Sequence, residues 1–168
     1  VSVGEEFMED WYEHFYWLKK FSINYPNLSV AVKHRSDDKL EKNKRLKKIL
    51  SGSNVKLITG TDSASNWHSY EYAFKAKAVC TFSGTMGFEL IGHGKPCLFM
   101  DTGAKNTGFL PNDDLHKPLK SKSYEEFVKG VFDILSGKSE QFNLTKENYC
   151  LKSDEVSKRI SNYLKKNT

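Results

Sequence analysis

The sequence predicts an α/β fold: one parallel sheet, doubly wound, with helices over both faces. Three observations carry that expectation. Short apolar, partly β-branched runs of strand length alternate with segments of helical periodicity along most of the chain. One stretch, Ala78 to Asp101, holds a complete unit of apolar run, small-residue turn, amphipathic segment, glycine stop and second apolar run. Finally, 168 residues suffice for one well-cored domain and hardly for two, so residues 1–168 read as a single domain.

Taken in order, Gly4 to Phe21 reads as a helix. Phe7, Trp11, Phe15 (or His14), Leu18 and Phe21 recur at helical spacing, and Glu5, Glu6, Glu9 and Asp10 sit in the early turns, where the helix dipole favours them. Tyr12, Tyr16 and Trp17 widen the apolar face, so cover on more than one side is expected. Pro26-Asn27 marks a turn, and Leu28 to Lys33 is a short buried-type strand running into His34-Arg35-Ser36. Asp37 to Ser51 reads as a basic helix stopped by Gly52, and Val55 to Ile58 as the next strand. The following Thr59-Gly60-Thr61-Asp62 suits either contact with a ligand's base or sugar at the carboxyl edge of the sheet or a helix N-cap by Asp62 or Ser63. Ser65 to Lys75 is a third helix, with Trp67, Tyr70, Tyr72 and Phe74 as its apolar side.

The strand Ala78 to Phe82 then breaks at Ser83-Gly84-Thr85 into a short helix, Met86 to Ile91, ended by Gly92 and Gly94. The strand Cys97 to Met100 follows Lys95-Pro96. This turn has the ingredients of an anion site. Ser83 or Thr85 can cap the helix, Gly84 admits close backbone approach, and first-turn amides are donors without intrahelical partners at the positive end of the dipole. Glu89, four residues past Thr85, shares a face with it. Asp101 and Thr102 follow the next strand at the same edge and suit base or sugar contact. After a polar loop, Leu119-Lys120 makes a short edge strand, and Ser123 caps the helix Tyr124 to Leu135 with Phe127, Val131 and Ile134 or Leu135 inward. Ser153 to Lys166 reads as the last helix.

The run Ser-Gly-Thr-Met-Gly-Phe-Glu-Leu-Ile-Gly-His-Gly-Lys-Pro, Ser83 to Pro96, resembles the S-(S/G)-T…(F/Y)-E…G-K-P signature in the donor-binding half of GT-B glycosyltransferases, especially bacterial enzymes of capsule, lipopolysaccharide and teichoic-acid synthesis. Tyr-Pro-Asn, strand, Lys33-His34 is similar to a second pattern of that group but lacks its two later prolines. The resemblance spans roughly residues 7 to 135 and implies a Rossmann-like domain, the carboxy-terminal half of a longer two-domain protein. By position it assigns Ser83, Gly84, Thr85, Lys33 and His34 to the donor phosphate and Glu89 to the nucleotide ribose; Thr59, Asp62, Asp101 and Thr102 are candidate base or sugar contacts from their place after parallel strands, not from the resemblance. It implies metal-independent transfer from a nucleotide-activated sugar, with no further cofactor and with the general base in an amino-terminal acceptor domain. Alone, such a chain binds donor and transfers nothing.

Composition fits that picture. With 38% hydrophobic and 28% charged residues the chain has the balance of a soluble globular protein, and no apolar run approaches membrane-spanning length. It opens Val-Ser without Met and carries no secretory pattern, so a cytoplasmic piece of something longer is expected. The net charge of +5 comes from lysines interleaved with acids, the arrangement of a solvated surface rather than a nucleic-acid stripe. Lys39 to Lys48 is the densest basic run and the candidate for peripheral contact with a membrane's inner face or an anionic polysaccharide. Cys80 and Cys97 fall within strands as small hydrophobes, and no Cys/His cluster or Asp-x-Asp pair points to a metal. Two alternatives stay open: a sugar-nucleotide 2-epimerase-like half, which also combines a Ser-Gly turn with a downstream Glu, and a non-catalytic α/β assembly module.

Overall fold

A computed structural model describes residues 3–34, 42–58, 60, 68–82, 85–102 and 119–138. Helices alternate with parallel strands: α1 (Val3–Asn24), β1 (Ala31–Lys33), α2 (Lys44–Leu50), β2 (Lys56–Ile58), α3 (His68–Lys75), β3 (Val79–Thr81), α4 (Met86–Gly92), β4 (Cys97–Met100), β5 (Lys120–Ser121) and α5 (Tyr124–Leu135). Among the described residues the strands form two open hydrogen-bonded units, β1-β2 and β3-β4-β5, every pair parallel. The register Cys80↔Leu98 and Phe99↔Lys120 aligns the carboxyl ends of the second unit, so the segments after β3 and β4 emerge at one edge.

β4 is the most buried strand, all four residues out of water, and its alternation feeds two cores. Cys97 and Phe99 join Ala73 of α3, Leu90 and Ile91 of α4 and Leu119 on one side. Leu98 and Met100 join Trp17 and Phe21 of α1 and Phe127 and Val131 of α5 on the other. Two glycines allow those helices to lie close. A Cβ on Gly87 would stand 2.6 Å from the Phe99 ring and 2.8 Å from the Thr81 methyl, and one on Gly130 would stand 2.8 Å from Leu98. A third core packs Tyr12 and Phe15 of α1 against Leu46, Ile49 and Leu50 of α2, over Val32 and Leu57 of the two-stranded unit. The first helix therefore covers both units with different parts of its length. The cover foreseen on more than one side is present, with His14, Phe15, Trp17 and Phe21 all buried and Tyr16 exposed.

Several boundaries differ from the sequence reading. α1 runs on to Asn24, the strand expected from Leu28 begins at Ala31, and the strand expected at Leu119-Lys120 is Lys120–Ser121. The basic helix expected from Asp37 starts at Lys44, because Asn43 caps it by accepting the Leu46 amide at 2.9 Å; residues 35–41 lie outside the described set. α3 turns Ala73 and Tyr70 inward and leaves Tyr72 and Phe74 exposed, so the apolar side expected from those two aromatics is not its packed face. β4 and α5 match their expected limits, and Ser123 caps α5 by accepting the Glu126 amide. The helix expected at Ser153 to Lys166 lies outside the described residues.

Candidate functional site

The candidate residues stand at the ends of strands, and two pairs close in the chain are bonded, Thr85 with Glu89 and Lys33 with the carbonyl of His34. Lys33 and His34 leave β1, Thr85 opens α4 beyond β3, and Asp101 and Thr102 leave β4. Ser83, Gly84, Thr59 and Asp62 fall outside the described residues.

Thr85 is exposed and stands at the N-cap position of α4, but its backbone is helical and its side chain caps no amide. Of the two residues expected as caps, Ser83 or Thr85, Thr85 does not serve as one, and Ser83 lies outside the described residues. Side chains four apart share a face and tilt toward the helix start, so Glu89 reaches back and its carboxylate accepts from the Thr85 hydroxyl instead. A second hydroxyl arrives from outside the unit, because Tyr70 of α3 donates to Glu89 Oε2. These two bonds, Tyr70 first, hold the Glu89 carboxyl below its ordinary pKa, so it is ionised at neutral pH while still exposed to solvent. The sequence shows Tyr70 only as an apolar filler; the available signal was its phenol, which on a half-buried ring needs a polar partner.

Lys33 and His34 are half-buried. The Lys33 ammonium donates to the carbonyls of Gly60 and His34, which ties the end of β1 to the segment after β2. Gly60 adopts φ +110, a backbone that side chains rarely allow, so that segment can present its carbonyl. Asp101 is half-buried, and its amide donates to Ser121 at 2.8 Å, extending the β4-β5 ladder one step.

Thr102 has a partner that its position in the sequence does not suggest. Its Oγ1 lies 3.2 Å from Nε2 of His14, a residue of α1 with 4% of its surface exposed. The His14 ring also packs on Phe82 at 4.2 Å and meets Trp17 edge to face at 6.1 Å. Burial pushes its pKa down to about 4, with the Met100 backbone pulling weakly the other way, so the imidazole is neutral at physiological pH.

Cys80 and Cys97 are free thiols that burial pushes up, Cys80 to about 12, which makes them inert filling. No group of three or more His, Cys, Asp or Glu among the described residues is arranged to hold a metal ion, and no described helix is long and apolar enough to cross a membrane. No family model, no curated protein and no solved structure matches the chain.

Proposed function

We propose that this chain is the donor-binding half of a metal-independent GT-B glycosyltransferase that builds a bacterial surface polysaccharide in the cytoplasm from a nucleotide-activated sugar. We read the two strand units as one doubly wound, Rossmann-like sheet of order β2-β1-β3-β4-β5. Leu28 and Val30, just before β1, share a cluster with Ala78 and Cys80 at β3, which supports that order. In it the chain leaves β1 one way and β3 the other, and ligands of open α/β sheets bind in the crevice such a reversal opens at the carboxyl ends.

Glu89 carries the reading. It is an exposed, ionised carboxylate one turn into the helix that follows the central strand, held from two sides by Tyr70 and Thr85. A carboxylate accepts at roughly four lone-pair sites, so two hydroxyls leave room for two more from a ribose. Ser83, Gly84 and Thr85 then face the phosphate with the first-turn amides of α4. The side chain of His34 and the charge of Lys33 supply positive potential where the departing phosphate gains charge. Lys33 acts as a fixed charge rather than a mobile hook, because its donors are engaged by backbone carbonyls. Asp101 and Thr102 are assigned to the base or sugar, and Thr59 and Asp62 keep the same assignment from sequence alone. The general base belongs to an amino-terminal acceptor domain, and the chain alone transfers nothing. Exposed Lys42, Lys44, Arg45, Lys47 and Lys48 are the described basic residues of the run proposed for peripheral contact with an anionic membrane or polysaccharide.

Calorimetric titration with CMP, UDP, GDP and CDP tests the reading. One nucleotide should bind saturably. Glu89→Ala and Ser83→Ala should each weaken it about tenfold or more, the scale of a lost charge-assisted hydrogen bond, in proteins that remain folded. Indifference to all four nucleotides would overturn it.

A further inference from the structure

We infer that Tyr70 and Lys95 are positioning residues: they tie α3 alongside α4 at two points and so hold the carboxylate of Glu89 in one orientation for the ribose. This rests on the donor-site reading above. α3 has little else to place it. Of its eight residues Ala73 alone is buried, Tyr70 is half-buried against the cluster that holds Leu90, Ile91 and Phe99, and Tyr72 and Phe74 face water. Apolar burial is non-directional, and so small an amount of it leaves a helix free to turn or slide. Hydrogen bonds to fixed partners restrict both motions.

The two ties sit toward opposite ends of α3. Near its start the Tyr70 hydroxyl donates to Glu89 Oε2. At its end the Lys95 ammonium donates to the carbonyls of Phe74, at 3.2 Å, and of Ala76, where helix carbonyls lack intrahelical partners and the dipole favours a cation. Lys95 is brought there by the way α4 stops. Gly94 at φ +78 turns the chain back, and the Lys95 amide donates to the Leu90 carbonyl at 2.9 Å. Tyr70 precedes Phe74 on one helix and Glu89 precedes Lys95 beside the other, so the two lie side by side in the same direction. Thr85 also bonds Glu89, but it belongs to the same helix and moves with it. Tyr70 refers the carboxylate to a second element. With bonds from both directions the side-chain torsions of Glu89 are settled before a ligand arrives, which an unheld surface glutamate would have to settle on binding.

Carboxyl NMR of Glu89 and titration with CMP, UDP, GDP and CDP, both on the 168-residue chain, test this. Tyr70→Phe keeps the ring against the core and removes the hydroxyl, so the Glu89 pKa should rise toward the ordinary carboxylate range, its largest cause of lowering being lost. Lys95→Met should raise it as well, whereas Lys95→Arg, which can reach the same carbonyls, should not. Once Tyr70→Phe is present, Lys95→Met should add nothing, because the lysine acts through the tyrosine. An unmoved pKa in Tyr70→Phe, or additive shifts in the double variant, would overturn the inference. With whichever nucleotide binds, Tyr70→Phe should weaken affinity on the order of tenfold and should add nothing to Glu89→Ala. An equal further loss in the Glu89→Ala background would mean that Tyr70 acts independently of Glu89, and would overturn it too. If the unaltered chain binds none of the four nucleotides, the donor-site reading falls and the role toward a ribose falls with it. An unmoved Glu89 pKa in a chain that does bind, by contrast, leaves that reading standing.

Discussion

The two strand units of this molecule carry opposite halves of the candidate site on very different footings. The β3-α4-β4 unit has a central strand buried on both faces, with helices held close by Gly87 and Gly130. The β1-α2-β2 unit has strands whose first residues, Ala31 and Lys56, are exposed and whose others are half-buried, under a single helical layer of α1 and α2. Glu89 and Thr102 stand on the first, Lys33 and His34 on the second. Under the proposed function this division makes sense, since a carboxylate meeting a ribose in one geometry would need a rigid base, whereas a positive charge acts over several ångströms and tolerates a softer one. Consistent with that division, Lys33 is fastened by backbone carbonyls rather than by core packing.

The largest expected difference lies in core truncation. Phe99 is wholly buried between α4 and β3 and stacks on Phe88 at 4.8 Å, so Phe99→Ala should cost about 3–5 kcal/mol. Leu57 of β2 is half-buried, and Leu57→Ala should fall at or below about 2 kcal/mol, the lower end of the Leu→Ala range. Urea unfolding at constant m would read both; equal costs would break the contrast.

Next comes the pH dependence of the joint between α1 and the buried unit. His14 has a folded-state pKa of about 4 against an ordinary value of 6.5. Between those values the unfolded chain binds a proton that the folded protein refuses. Stability therefore rises with pH through this window and is lost as pH falls from 6.5 to 4. A shift of that size corresponds to about 3 kcal/mol. Glu89, with its lowered pKa, adds a loss of the same sign at more acid pH, as its stabilisation also disappears on protonation. Unfolding curves between pH 7 and 4 should show the decline in the unaltered protein and a much flatter one in His14→Phe.

Gly87→Ala comes third. The added methyl would meet Phe99 and Thr81 well inside contact distance, at an overpacking cost of about 1–3 kcal/mol. Since α4 must move outward to admit it, the Tyr70–Glu89 bond should weaken too, visible as a rise in the Glu89 pKa by carboxyl NMR. This glycine also shows where legibility in the sequence ends. Strand and helix periods exposed most elements, and β4 and α5 to the residue, because burial on two faces or one stripe leaves a direct trace in apolar spacing. Gly87 leaves none: within a helix it reads as a weak residue, and only the approach of Phe99 from another element explains it. Tyr70, His14 and Thr102 were unreadable as partners for a related reason. Their bonds join α3 to α4 and α1 to the end of β4, and nothing local in a sequence encodes which distant polar group a buried hydroxyl or imidazole will meet. The start of α2 at Lys44 is set by the Asn43 side chain, which the reading of Asp37 to Ser51 as one basic helix passed over.

That cap supplies the smallest effect and the finest test of the softer unit. Asn43 accepts the Leu46 amide at 2.9 Å, and its amide nitrogen donates to the Tyr12 hydroxyl at 3.0 Å, so one side chain both starts α2 and ties it to α1. Ser123, the cap of α5, accepts only its own helix's Glu126 amide, at 3.2 Å. Loss of a cap costs about 1 kcal/mol in either case. Asn43→Ala should exceed Ser123→Ala by a further hydrogen bond's net worth, about 0.5–1.5 kcal/mol, because it also strands the Tyr12 phenol. Combining Asn43→Ala with Tyr12→Phe should then recover part of that excess, since the two residues share one bond and their costs cannot add. Full additivity would mean that the Asn43–Tyr12 bond adds nothing to the joint between α1 and α2, which would then rest on their apolar contacts and on the Arg45–Glu9 ion pair.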